Sequence, residues 1–100
     1  TGTGDGRLFA FWSDAIDGTS HIGDVDKTNA HIIGTDTLPG VTVGGAWAFG
    51  YWGGKFYTYT APDQATSQVN EFDPVTKAVR LVATYPQEIV GAGVSTCAPQ

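Results

Sequence analysis

Two halves of this sequence resemble each other in three blocks that keep the same order. GDGRLFAFW (4–12) aligns with WGGKFYTYT (52–60), HIGDVDKTNAHIIGT (21–35) with QVNEFDPVTKAVRLVAT (68–84), and VGGAWAFG (43–50) with VGAGVSTC (90–97). The aligned residues are 48, then 47 to 49, then 47 positions apart. Blocks that recur at a nearly constant spacing indicate a structural repeat. We therefore interpret the chain as two copies of one unit of about 47 residues, a first repeat of about 4–50 and a second of about 52–98.

Each repeat is predicted to form four short strands, A to D, because turn-forming pairs such as Gly53-Gly54 and Pro39-Gly40 separate runs rich in β-forming residues. In the first and second repeats respectively, strand B is predicted over Arg7–Trp12 and Lys55–Thr60, and strand C over His21–Val25 and Gln68–Phe72. Strand D is predicted over His31–Thr35 and Val79–Thr84, and strand A over Val43–Trp52 and Val90–Ala98. No window shows the 3.6-residue period of a helix. We expect an all-β fold whose eight strands are antiparallel.

Four strands in a repeat of this length are typical of a β-propeller blade. Strand B of the first repeat is apolar on both faces, with Leu8, Ala10 and Trp12 on one side and Phe9 and Phe11 on the other. A strand that lies between two neighbouring blades needs such a pattern, whereas a strand with one solvent-exposed face alternates apolar and polar residues. The residues 1–100 are therefore predicted to form two four-stranded propeller blades.

The segments GRLFAFW, DVDKTN, VTVGGAWAFGYWGGKFYTYT, NEFDPVTKAV and EIVGAGVSTCAP resemble repeats of secreted or cell-envelope bacterial β-propellers with a kelch-like blade layout. The sequence departs from kelch repeats at the end of strand B, where Ser13 or Ala61 stands instead of a Gly-Gly pair. It also lacks the Trp-Asp dipeptide of WD40 blades. The resemblance implies an extracellular or cell-envelope location.

The predicted strand order B-C-D-A-B-C-D-A leaves the first blade without a strand A and ends on a strand A without a blade. Two blades cannot close within one chain, since propellers have four or more blades. We expect head-to-tail assembly with strand exchange into a trimer or tetramer, a ring of six or eight blades, the larger being favoured. The predicted oligomer interface consists of Ile89, Val90, Val94, Cys97, Leu8, Phe9 and Phe11.

Composition argues against several function classes. The net charge of −5 disfavours nucleic acid and anionic membrane surfaces as partners, and no apolar run is long enough to insert into a membrane. The chain has no Met, which favours a processed or excised piece of a longer protein. Its lone Cys97 is either a buried thiol or a half-cystine whose partner lies elsewhere.

Neither a metal site, a cofactor nor a catalytic residue is predicted. The glycines of TGTGDGRLF are expected to form a turn rather than a phosphate loop, since a strand follows them. The acidic pairs Asp24/Asp26 and Glu71/Asp73 recur at one blade position, where solvated and turn-capping carboxylates are expected rather than Ca²⁺ ligands. His21 and His31 are expected at exposed positions of the paired strands C and D, with no further Cys or His at metal spacing.

Aromatic residues are the only candidates for ligand contact. Trp12, Trp47 and Trp52 are the candidate set, because exposed aromatic rings suit sugar or peptide recognition. The opposing interpretation places such rings in the core between blades, and on it Trp52 and Tyr57 are expected to be largely buried. A non-catalytic binding or scaffold module, with a small ligand or carbohydrate as its further partner, is therefore one hypothesis. The alternative is the propeller portion of an extracellular enzyme or of a lectin-like glycan-binding protein.

Overall fold

A computed structural model describes residues 1–95 of the chain. This part contains seven strands and no helix, and the strands form two antiparallel sheets with the orders β1-β2-β3 and β4-β5-β6-β7. The strands are β1 Leu8–Ser13, β2 Ser20–Val25, β3 Ile32–Leu38, β4 Trp47–Trp52, β5 Lys55–Thr60, β6 Ser67–Phe72 and β7 Val79–Tyr85. The prediction of an all-β, antiparallel fold is confirmed for these residues.

The predicted strand A differs from the structure in both repeats. In the first repeat the strand begins at Trp47 instead of Val43, because the carbonyls of Val43 and Ala46 both accept the N–H of Ala61 and the chain turns there. In the second repeat, residues 90–95 form no strand, and 96–98 lie outside the described residues. A strand requires a hydrogen-bonding neighbour, and none of the described strands is paired with residues 90–94.

The β2–β3 turn and the β6–β7 turn, which join predicted strands C and D in each repeat, reproduce each other. The Asp26 N–H donates to the His31 carbonyl, and the Asp73 N–H, 47 positions later, donates to the Ala78 carbonyl. Ala30 and Lys77, again 47 positions apart, both have a φ of 62°. A left-handed residue other than glycine at the same place in two turns indicates that the repeat extends to backbone conformation.

Two buried serines mark where the chain leaves each sheet. Ser20 Oγ donates to the Val41 carbonyl at 2.7 Å, and Ser67 Oγ accepts the Ile89 N–H at 2.8 Å. Both serines are fully buried at the first position of their strands. The connection that follows each outermost strand is therefore tied to its sheet at an equivalent point.

The core lies between the two sheets. We call the contact between these two sheets the inner interface. The Phe9 ring packs on the Phe56 ring at 4.7 Å between centroids, and the Phe11 ring lies 5.7 Å from the Phe49 ring. An ion pair of Lys77 with Asp36, at 2.8 Å, also joins the two sheets. The buried cluster consists of Phe11, Ile22, Leu38, Val41, Phe56 and Phe72.

Each sheet has a second side that faces away from the inner interface, because side chains alternate along a strand. On the first sheet this outer face carries Leu8, Ala10, Trp12, Gly23, Val25 and Ile32. On the second sheet the outer face carries Gly50, Trp52, Lys55, Tyr57, Tyr59, Val69 and Glu71.

Candidate functional site

The three tryptophans lie in three different places. Trp47 is at the rim of the inner interface, 46% exposed, with its ring 5.4 Å from Phe11. Trp12 is on the outer face of the first sheet, and Trp52 is on the outer face of the second. The structure therefore does not bring the candidate set together into one site.

Trp12 packs flat on its own sheet. Its ring stacks on the His21 ring at 5.4 Å, and it covers Gly23 so closely that a Cβ there would come within 2.7 Å of a ring carbon. An aromatic ring laid over a strand glycine fills the space that the missing side chain leaves. The contact explains why a large side chain on this face is only partly exposed.

His21 differs from its predicted exposed position. Its side chain is 15% exposed, with Nε2 3.2 Å from the Asp14 carboxylate and Nδ1 3.3 Å from the Thr37 hydroxyl. His21 faces Thr37 across β2 and β3, whereas His31 precedes β3 and is exposed. The expectation that both histidines lie on paired strands is wrong, because β3 begins one residue after His31.

Trp52 lines a groove on the outer face of the second sheet. The groove measures about 510 Å³ and is also lined by Gly50, Tyr57, Tyr59 and residues 92–95. Val94 packs over Gly50, where a Cβ would lie 3.0 Å from its methyl group. Trp52 is 50% exposed, so the prediction that it is largely buried is wrong for the chain by itself, while Tyr57 is half-buried.

A network of charged and polar groups borders this groove. Tyr57 donates its hydroxyl to Glu71 at 3.0 Å, and Arg80 binds the other oxygen of the same carboxylate at 3.0 Å. Lys55 lies 3.6 Å from Glu71. Burial opposes the ionisation of Glu71, but these donors and the nearby positive charges outweigh it and lower its pKa. Burial and the bond to Glu71 raise the pKa of Tyr57.

Asp26 and Asp73 cap their turns, as predicted, whereas Asp24 and Glu71 are mostly buried ion-pair partners rather than solvated carboxylates. Asp26 accepts the N–H and the hydroxyl of Thr28, and Asp73 accepts the N–H of Val75. Asp24 binds Arg7 at 2.7 Å. Within residues 1–95, no group of three or more His, Cys, Asp or Glu side chains is arranged to hold a metal ion.

A buried polar group on the inner side of the second sheet was not anticipated. Thr58 and Thr60 are fully buried, and neither hydroxyl has a hydrogen-bond partner in the described part of the chain. The side-chain nitrogen of Asn70, which lies opposite Thr58 across β5 and β6, is also buried without a hydrogen-bond partner in the described part of the chain. The alternation of residues in KFYTYT could have predicted this burial, since it places both threonines on the same face of the strand as Phe56.

The predicted interface residues also separate. Phe9 and Phe11 face the second sheet inside the chain, while Leu8 is 38% exposed on the outer face. Ile89 is tied to Ser67, Val90 is exposed and Val94 lines the groove. Cys97 lies outside the described residues.

No protein-family model, no curated protein and no solved structure matches this chain. In the part of the chain that the structure describes, no helix is both long and apolar enough to cross a membrane. The function proposed below therefore rests on the geometry of the chain and on its repeat.

Proposed function

We propose that this chain is a non-catalytic module that joins head to tail with copies of itself into a closed ring of β-propeller blades. Each sheet is one blade of kelch-like layout, and the ring serves as a scaffold or binding module. A secreted or cell-envelope setting belongs to the same proposal, on the resemblance of the repeats.

One observation carries the proposal: positions that are buried in the inner interface have exposed equivalents on the outer faces. Phe56 is 1% exposed, and its equivalent Leu8, 48 positions earlier, is 38% exposed. Partly buried Val79 packs on the core, and its equivalent Ile32 is 44% exposed. Covering these apolar side chains gains roughly 25 cal/mol per Å². A second copy offers the complementary face.

The part of the β1 edge beyond Phe9 supports the same assembly. Phe9 exchanges two backbone hydrogen bonds of 2.8 Å with Thr1 on that edge. The backbone groups of Phe11 and Ser13 point the same way, since strand residues alternate, and no described strand lies beside them. Proteins cover or pair such edges. We propose that residues 90–95 of a neighbouring chain, which include Val90 and Val94, pair with this part of the edge.

Ring size follows from two blades per chain. Three chains form six blades and four form eight, and both lie within the usual four to eight. A head-to-tail contact uses different patches on the two partners, so it closes only when the rotation between them fits the ring.

Light scattering tests this proposal directly. The full chain of 10.5 kDa is expected to have three or four times that mass in solution, and a variant that lacks residues 88–100 is expected to be a monomer. A monomeric full chain, or a ring formed by the shortened one, would refute the assembly.

A second candidate function is carbohydrate binding, and the groove beside Trp52 favours it. An exposed indole with Tyr57 and Tyr59 is the kind of surface on which sugar rings stack. Glycan-array binding by the full chain that Trp52→Ala abolishes would support it. Turnover of generic hydrolase substrates would instead favour the extracellular-enzyme alternative.

A further inference from the structure

Residues 88–95 leave the second sheet along the route by which residues 41–48 leave the first. The two buried serines, Ser20 and Ser67, bind the departing chain at equivalent points. Further on, Trp47 lies against Phe11, and its equivalent Val94 lines the same groove as Tyr59, the equivalent of Phe11. The segment around Val94 thus lies where strand β4 would lie if a third sheet followed.

The groove differs from the inner interface in one respect. In the inner interface β5 lies beside β4, and Phe56 packs against Phe9 at 4.7 Å and Tyr51 at 5.0 Å. On the outer face of the second sheet, no described strand is paired with residues 92–94, and the space next to Tyr57, the equivalent of Phe9, is open. The strand equivalent to β5 is β1, and the residue equivalent to Phe56 is Leu8.

We propose that this groove is the docking site for β1 of a second copy of this chain, with Leu8 of that copy against Tyr57 and Trp12 of that copy opposite Val94. This inference rests on the proposed head-to-tail assembly and assigns its contacts. The groove therefore takes a protein strand rather than a sugar.

Charge is compatible with this docking. The strand residues on the outer face of the first sheet include no Asp, Glu, Lys or Arg, so the contact brings no unpaired charge into the groove. On the receiving face, Lys55 and Glu71 lie close together at the positions equivalent to Arg7 and Asp24. The Arg7–Asp24 pair lies beside Phe9 in the inner interface, with the Arg7 guanidinium 4.8 Å from the centre of the Phe9 ring. An ion pair here is thus tolerated next to a packed sheet.

The repeat also sets the register of the donated segment. Trp47 pairs with Thr60 in β4 and β5, so its equivalent Val94 is expected opposite Trp12. On the outer edge of β1, Phe9 is in a hydrogen-bonded position, because it exchanges backbone hydrogen bonds with Thr1. Hydrogen-bonded and non-hydrogen-bonded positions alternate along an antiparallel strand, so Trp12 is in a non-hydrogen-bonded position. Pairs at such positions bring Cα atoms to about 4.5 Å, within reach of a disulfide.

Leu8→Glu tests the face contact. It is expected to reduce the mass to that of a monomer while the far-ultraviolet spectrum is retained, because the new carboxylate would lose its hydration against Tyr57, which already binds the Glu71 carboxylate. Ile16→Glu is the matched control, since Ile16 is 99% exposed on the β1–β2 turn, and it is expected to keep the wild-type mass. An intact ring from Leu8→Glu would overturn the proposed contact.

Cross-linking tests the register. In a Cys97→Ser background, a chain carrying Val94→Cys is mixed with one carrying Trp12→Cys under mild oxidation, and a covalent dimer of one chain each is expected. Ala10→Cys in place of Trp12→Cys moves the thiol two residues along the same face and is expected to give no dimer. Equal cross-linking at positions 10 and 12, or none at 12 from a chain that retains the ring mass, would overturn the register.

These outcomes separate the two proposals. A monomeric wild-type chain would defeat the self-assembly itself. A wild-type ring that survives Leu8→Glu and does not cross-link through Val94 would leave self-assembly in place and reject the groove as its contact.

Discussion

At the level of single residues, Gly44 is the glycine with the least room for an added side chain. Its φ is +71°, and a Cβ there would lie 1.8 Å from the Ala61 carbonyl oxygen. The close approach occurs where Gly44 bridges to Ala61 in parallel, just before β4. A rigid backbone oxygen cannot move aside as a flexible side chain can.

Gly44→Ala is therefore expected to lower the free energy of unfolding by about 2–5 kcal/mol, from left-handed strain and overpacking together. Gly40→Ala is the matched control, because Gly40 has a φ of +78° and nothing within 4 Å of the added Cβ. It is expected to cost only the strain, about 1–2 kcal/mol. Urea unfolding measures both, and equal losses would contradict the clash with Ala61.

At the level of the elements, Asp63 organises the turn between β5 and β6. Its carboxylate accepts the Thr66 hydroxyl at 2.6 Å and the N–H groups of Thr66 and Ala65 at 2.8 and 3.0 Å. These bonds lower the pKa of Asp63 from 3.8 to about 2. The ionised carboxylate is thus favoured by the folded turn.

A depressed pKa in the folded state means that the stabilisation is complete above the unfolded value and is lost as the pH falls. The contribution of Asp63 is expected to be full above a pH of about 4 and to disappear towards about 2. Urea unfolding of wild type and Asp63→Asn at several pH values measures the difference. The difference should shrink on acidification across that window, and a constant difference would contradict the pKa shift.

At the level of the whole molecule, the inner interface is what joins the two sheets. Phe56 is its central side chain, in contact with the rings of Phe9, Tyr51 and Phe72. Trp52, on the opposite side of the same sheet, is half exposed. The two aromatic side chains therefore contribute differently to the stability of a single chain.

Phe56→Ala is expected to lower the free energy of unfolding by about 3–5 kcal/mol, and Trp52→Ala by clearly less. Both are best measured in the Leu8→Glu background, because stability in an assembly depends on protein concentration. A loss from Trp52→Ala as large as that from Phe56→Ala would mean that the outer face is as well packed as the core.

The repeat, the turn residues and the alternation of side chains sufficed to predict the seven described strands and their grouping into two antiparallel sheets. The predicted start of β5 at Lys55 and end of β6 at Phe72 are those of the structure. These features are local, since glycine, proline and aspartate act on their own turns. The predicted strand A of the second repeat shows the limit, because a strand also needs a hydrogen-bonding neighbour, which the local sequence does not supply.

Which side of each strand forms the core was decided only by tertiary packing. In β1 both sides are apolar, so a period of two cannot tell whether Phe9 and Phe11 or Leu8 and Trp12 face the second sheet. The burial of Thr58 and Thr60, and the separation of Trp12, Trp47 and Trp52 into three places, follow from that choice. Contacts between sheets join residues far apart in the chain, and the sequence pattern within one strand contains no information about them.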